Sequence, residues 1–412
     1  MASAVRRNLL VLAVAQALFQ CGLSVDLTLT GLVGFHLAPQ PALATLPFAC
    51  ITVGAFAATA PASWLIARYG HRLGFAVGAA SAVVGGALSA VAIVQHTYWL
   101  FCVGTAGVGI YQAFANYYRY AAADRAVPEQ RGRAIATVLA GGVVAALFGP
   151  FLATAAKDTL SVEFAGSYLL VSVLAALSGL VLVLLRPAPK PRPSPLTASM
   201  DQPAQPAGSR PSRSVRQLLA LPELRTGVAA TAIGYLTMML VMTAAPIAAV
   251  HHHHTIEQGA LIVQWHMVGM YAPALFAGWS IQRLGAPRLL LGGIALTAAG
   301  ALACVLGTGQ PHFLTGLLLV GVGWSLMYVS GTTLVAGAYQ PRERARAQAT
   351  AEALTMTGSA TGSLSAGLLL QELGWASTNL LVLLLLVPCA VLAWGRLRAA
   401  STGEVQPVSP GR

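Results

Sequence analysis

Apolar runs separated by short polar breaks recur along the whole chain. Twelve of them reach about 20 to 25 residues, the length of helix that crosses a bilayer core of about 30 Å. They fall at 8–34, 42–66, 73–95, 98–122, 134–156 and 165–186, then at 224–250, 258–281, 288–308, 312–338, 347–370 and 376–395. Arg6 and Arg7 precede a first run too long for a signal-peptide core, with no small-residue cleavage pattern after it, so a retained first span is expected. The pattern predicts an all-α polytopic membrane protein, its twelve transmembrane helices forming two six-helix bundles.

Composition agrees with this reading. Of 412 residues, 56% are hydrophobic and 9% are Asp, Glu, Lys or Arg, where a soluble protein carries roughly 25% charged residues. The net charge of +12 invites a nucleic-acid reading until its distribution is considered. With both termini inside, all of the 24 Lys and Arg except Lys157, outside, and Arg119, within a span, fall on cytoplasmic segments. That is the positive-inside rule, which predicts a multi-pass protein of a bacterial inner membrane with cytoplasmic termini and no nucleic-acid partner. Five cysteines lie in predicted spans without a CxxC pair and read as buried apolar residues rather than a disulfide framework. No nucleophile elbow or phosphate loop survives inspection, so no enzyme is expected.

Residues 187–222 are rich in Pro, Ser, Ala and Arg and are expected to form a disordered cytoplasmic linker. It would separate an N-terminal bundle (1–186) from a C-terminal bundle (223–396), with a cytoplasmic tail at 397–412. The halves share two internal matches. Ser63 to Arg72 (SWLIARYGHR) parallels Gly278 to Arg288 (GWSIQRLGAPR), Trp64 and Trp279 being 215 residues apart. Pro128, Arg131, Arg133, Ala134 and Ala136 parallel Pro341, Arg344, Arg346, Ala347 and Ala349 at an offset of 213. Parallel six-span repeats with a solute site near the midplane are a known transporter plan.

In these features the chain resembles the major facilitator superfamily. Its hallmark loop aligns with Ser63, Ala67, Arg68, Gly70, His71 and Arg72, but the hallmark Asp is replaced by Ala67 and, in the second copy, by Gln282. The resemblance implies that fold, with the loop's gating salt bridge altered. Gly149-Pro150 is only part of the drug-antiporter motif of span 5.

Five of nine methionines lie in one window of spans 7 and 8: Met238, Met239, Met242, Met267 and Met270. Met238/Met242 and His266/Met270 are i,i+4 pairs, each on one helix face about 6 Å apart along the axis. On antiparallel neighbours they would make two tiers, Met242 with His266 and Met238 with Met270. Thioethers and imidazole suit Cu(I), and an intramembrane histidine is costly as mere packing. These residues resemble the MxxxM and HxxxM signature of CcoA-like bacterial copper importers. That resemblance implies copper as the transported ion, imported for cytochrome oxidase assembly, with no permanently bound cofactor and a functional monomer.

His251, His252, His253 and His254 sit on the outer loop above this window and are candidates for outer metal capture. Asp26 in span 1 is a proton-coupling or auxiliary cation candidate, with a packing role as its alternative. Gln112, Asn116 and Arg119 recur at i, i+4, i+7 and would share one cavity-facing side of span 4; Arg119 alternatively snorkels to the inner surface. Glu352 reads as an inner-end residue. The alternative function is a carrier of a small organic solute such as riboflavin or a siderophore, with Tyr111, Tyr117, Tyr118 and Tyr235 lining the cavity. A non-transporting metal sensor is the third reading.

Overall fold

The computed structural model describes residues 3–124, 134, 137–138, 140–185, 213–340 and 343–401. Its elements are α1 (Ser3–Leu37), a 3-10 turn (Pro41–Leu43), α2 (Leu46–Tyr69), α3 (His71–Val94), α4 (Tyr98–Ala115), α5 (Tyr118–Asp124), α6 (Gly141–Ala155) and α7 (Ala165–Val183). The second half continues with α8 (Val215–Leu219), α9 (Pro222–His251), α10 (Ile256–Tyr271), a 3-10 turn (Pro273–Phe276), α11 (Ala277–Leu284), α12 (Ala286–Leu306), α13 (Gln310–Ala338) and α14 (Arg344–Ser401).

Among the described residues, eight helices are long and apolar enough to cross a membrane unaided. The expected twelve crossings are recovered once four local departures are read. Span 4 is broken at Asn116 and Tyr117 between α4 and α5. Span 5 shows only the short α6, and span 8 is interrupted by the 3-10 turn at Pro273–Phe276. Spans 11 and 12 run on as α14, whose 58 residues would stretch about 87 Å if straight. Gly374 divides it, with φ 75° and ψ 174°, a conformation that glycine adopts without steric cost.

The internal repeat is visible in the packing. Gly70 and Gly285 both take positive φ, 87° and 76°, at the α2–α3 and α11–α12 junctions. Two residues before each, an arginine lies over the tryptophan four positions earlier, Arg68 on Trp64 at 5.9 Å and Arg283 on Trp279 at 4.7 Å. The α3–α4 contact is so close that a β-carbon on Gly85 would stand 2.6 Å from the Gly104 carbonyl oxygen. In α12–α13, one on Gly300 would stand 2.6 Å from that of Gly316, and Gly85 and Gly300 again differ by 215. In lipid, where apolar side chains gain nothing by leaving one another, such backbone approach supplies the van der Waals contact that holds helices together. Large apolar side chains such as Trp99, Phe151, Leu384 and Val391 point outward, as a lipid-facing surface requires. The second repeat match lies largely outside the described residues.

Residues 213–222 differ from the expected disordered linker. Ser214 caps α8 through a reciprocal capping box with Gln217. Arg213 donates twice to Glu343 in the span 10–11 loop, at 2.8 and 2.7 Å. This pairing holds the Glu343 carboxyl down at about 2. The rest of the expected linker, 187–212, and the tail beyond 401 lie outside the described residues.

Helices α1–α7 pack among themselves, as do α9–α14, and the two bundles meet through α1 with α9 and α10, α2 with α14, and α6 with α10. Several of these contacts gather at the end carrying the histidine loop. There Lys157 and Glu257 pair at 2.8 Å, Phe35 packs on His251, and Thr45 Oγ1 accepts from the Gly367 amide at 3.1 Å. Deeper in, Gln264 donates to the Leu147 carbonyl at 2.7 Å. Towards the linker end Asn116 is exposed, and Glu352 is solvent-accessible although surrounded by protein.

Candidate functional site

Where α1, α2, α9, α10 and α13 converge, Met238, Met242 and Met270 share one buried cluster with Phe48, Ile51, Val320 and Trp324; Leu23, Leu27, Tyr235, Met239, Tyr271 and Tyr328 pack around it. The sequence pairing brings three of its four expected ligands into this cluster. His266 is also buried, but its Nδ1 lies 2.7 Å from the Leu317 carbonyl of α13. It turns that way because α10 and α13 meet at Gly321, where a β-carbon would stand 2.5 Å from the His266 carbonyl oxygen. Since a carbonyl only accepts, Nδ1 carries the proton, and the lone pair of the neutral ring is on Nε2. Met267 faces the other way, its sulfur 3.5 Å from Ser24 Oγ on α1.

The aromatic part of the cluster is more ordered than its thioethers. Trp324 and Tyr328 stack with centroids 5.4 Å apart and planes 9° from parallel, and Tyr235 meets both edge-on at 5.1 and 5.6 Å. Trp324 and Tyr328 are an i,i+4 pair on α13, a spacing present in the sequence but not singled out there. Gln20 of α1 donates to the Tyr271 hydroxyl at 3.3 Å, bridging the two bundles. Arg119 of the first bundle is close enough to Tyr235 and Glu352 of the second for its charge to act on both.

The remaining candidates are placed as follows. Asp26 is wholly buried between α1 and α7; Thr30 donates to its Oδ1 at 3.2 Å and is itself 2.8 Å from the Tyr168 hydroxyl. Gln112, Asn116 and Arg119 do not share one continuous helix face, because α4 ends at Ala115 and α5 begins at Tyr118. Tyr111 and Tyr118 do not join the cluster where the bundles meet. They are buried in the core of the first bundle, Tyr111 donating to Ser178 at 2.7 Å and Tyr118 to Tyr111 at 3.3 Å, and Tyr117 packs on that core. A polar tip on a tyrosine can be satisfied inside a bundle as well as in a cavity, which the sequence does not distinguish.

Three of the four loop histidines pack on two phenylalanines. His251 packs on Phe35 at 5.0 Å, while His252 and His254 approach Phe313 at 6.4 and 5.6 Å. His254 Nε2 donates to the Thr308 carbonyl at 2.7 Å, and His253 takes φ 63° where the helix turns off. Burial, then the three adjacent imidazoles, hold His252 below the ordinary histidine range. Among the described residues no three or more His, Cys, Asp or Glu converge as a metal site. All five cysteines are free.

Two helical bundles meeting around a buried polar and aromatic centre define a membrane transporter rather than an enzyme. The Major Facilitator Superfamily profile matches residues 10–229 and 227–410. The chain belongs to that superfamily. It is 36% identical over 392 residues to the riboflavin transporter RfnT of Brucella anthropi, covering 94% of this chain and 96% of that one. It is 26% identical over 404 residues to the uncharacterized MFS-type transporter YdeG of Bacillus subtilis, covering 95% and 93%. Its fold matches an auto-inhibited POT family peptide transporter with a TM-score of 0.72 at 13% identity, covering 98% of each chain.

Proposed function

We propose that this protein carries a small organic solute with a planar ring, of which riboflavin is the best candidate, across a bacterial inner membrane. The observation that carries the reading is the aromatic wall of Trp324, Tyr328 and Tyr235 at the junction of the two bundles. A flat, polarizable surface of this kind binds ring systems by stacking, and the adjoining thioethers of Met238, Met242 and Met270 add soft contact without charge. The similarity to RfnT along nearly the full chain supports the same cargo. The distribution of basic residues supports cytoplasmic termini and a cytoplasmic linker; that the two bundles of one chain work as a monomer is part of the same proposal.

Copper import is the second reading. Its specific support is that Met238, Met242 and Met270 are buried together while His266 Nε2 has no hydrogen-bond partner among the described residues. One comparison separates the two. In a riboflavin-auxotrophic host, expression of the protein should restore growth on low riboflavin, and Met242→Ala with His266→Ala should weaken that growth without abolishing it. Loss of cell copper in the double variant, without rescue by the wild type on riboflavin, would favour the ion instead.

A further inference from the structure

In the cluster and beside it, three buried polar atoms on three helices are satisfied by no described residue: Trp324 Nε1 on α13 within it, Gln20 Oε1 on α1, whose amide bonds the flanking Tyr271, and His266 Nε2 on α10, one turn before Met270. Leaving such an atom unpaired costs about 1–3 kcal/mol, so three on helices that meet at the cluster call for a partner that comes and goes. Their chemistry restricts that partner. An indole N–H only donates, so Trp324 requires a carbonyl or ring nitrogen. Gln20 uses its amide N–H on Tyr271, and His266 uses Nδ1–H on Leu317, which leaves an amide oxygen and an imidazole lone pair that each take a donor, an N–H or an O–H.

We infer that the site reads a planar ring by an edge on which an N–H stands beside a carbonyl, as in a cyclic imide or ureide. This rests on the solute-carrier reading above and adds the chemical class to it. The ring body lies against the Trp324–Tyr328 stack while its carbonyl accepts from Trp324 and its N–H donates to Gln20 or His266. A bare metal ion does not account for the set, since Trp324 Nε1–H cannot ligate one. The isoalloxazine of riboflavin has such an edge, with N3–H between two carbonyls; a ring system with no donor beside a carbonyl would leave at least one of the three atoms unpaired.

The test uses the purified full chain in proteoliposomes, with labelled riboflavin counterflow competed by unlabelled riboflavin or its N3-methyl derivative. The methyl group removes the donor and keeps the ring. The derivative should compete about tenfold or more weakly. Trp324→Phe, which keeps an aromatic ring and deletes the N–H, should weaken riboflavin by about tenfold, and Gln20→Ala should shrink the preference for riboflavin over the derivative. Binding is read separately, by quenching of intrinsic tryptophan fluorescence with lumiflavin and N3-methyllumiflavin. Counterflow with equal competition by the two flavins overturns the inference and keeps the carrier reading. Discriminating binding without counterflow overturns the carrier reading and keeps the inference. Absence of both binding and counterflow overturns both.

Discussion

Replacing Glu257 by Gln removes a charge that joins the two bundles at the histidine-loop end. Lys157 Nζ stands 2.8 Å from Glu257, with Asp158 at 3.8 Å and Glu163 at 4.0 Å behind it. The hydrogen bond from Lys157, helped by the helix backbone and Thr255, brings the Glu257 carboxyl from 4.5 to about 2. At face value that corresponds to about 3 kcal/mol. Glu257 is 58% exposed, however, so solvent screens the pair and its worth to the closed state is about 1 kcal/mol. The fraction of molecules open at this end should therefore rise about fivefold in Glu257→Gln. Spin labels at the exposed positions Gln95 and Gly309, one on each bundle, would report it as added weight at long distance in a double electron–electron resonance experiment. The double charge reversal Lys157→Glu with Glu257→Lys should return most of that weight. Because the carboxyl is lowered, the latch is fully present above pH 4.5 and fades as pH falls towards 2, so this pair contributes no transition between pH 5 and 8. An unchanged distance distribution in Glu257→Gln would refute the latch.

Gly109→Val should lower thermal stability in detergent by about 1–3 kcal/mol, since even a β-carbon there would stand 2.1 Å from the Ile51 carbonyl oxygen. Gly292→Ala, which meets nothing within 4 Å, should leave the melting temperature unchanged. Glu343→Gln should weaken the anchor of Arg213 by about 2 kcal/mol and speed protease cleavage beside it, with solute affinity unaltered. The native anchor, like the latch, is intact above pH 4.5 and lost only as pH falls towards 2.

Helix number and the repeat were legible because each rests on a one-dimensional signal: run length against bilayer thickness, and the 215-residue offset between Trp64 and Trp279. The methionine cluster was legible from i,i+4 spacing. Helix rotation was not. Periodicity places His266 and Met270 on one face, but the contact at Gly321 carries the His266 ring to α13. In helices that are apolar all round, the hydrophobic pattern does not say which side faces lipid, bundle or cleft. Tyr111 and Tyr118 were therefore assigned to a cavity rather than to the core of the first bundle, where they are buried. Trp324 and Tyr328 were passed over, because aromatic residues in a span read as ordinary packing until their ring planes are known. Arg119 and Glu352 lie more than two hundred residues apart, and only the fold brings them near each other.

Counterflow of labelled riboflavin into proteoliposomes preloaded with unlabelled riboflavin tests the central claim most directly, using wild type, Tyr235→Ala with Trp324→Ala, and Met242→Ala with His266→Ala. The account predicts rapid accumulation by the wild type, loss in the aromatic double variant, and at least partial retention in the Met/His double variant. Counterflow that survives loss of both aromatic residues, or a wild type that moves copper but no riboflavin, would contradict it.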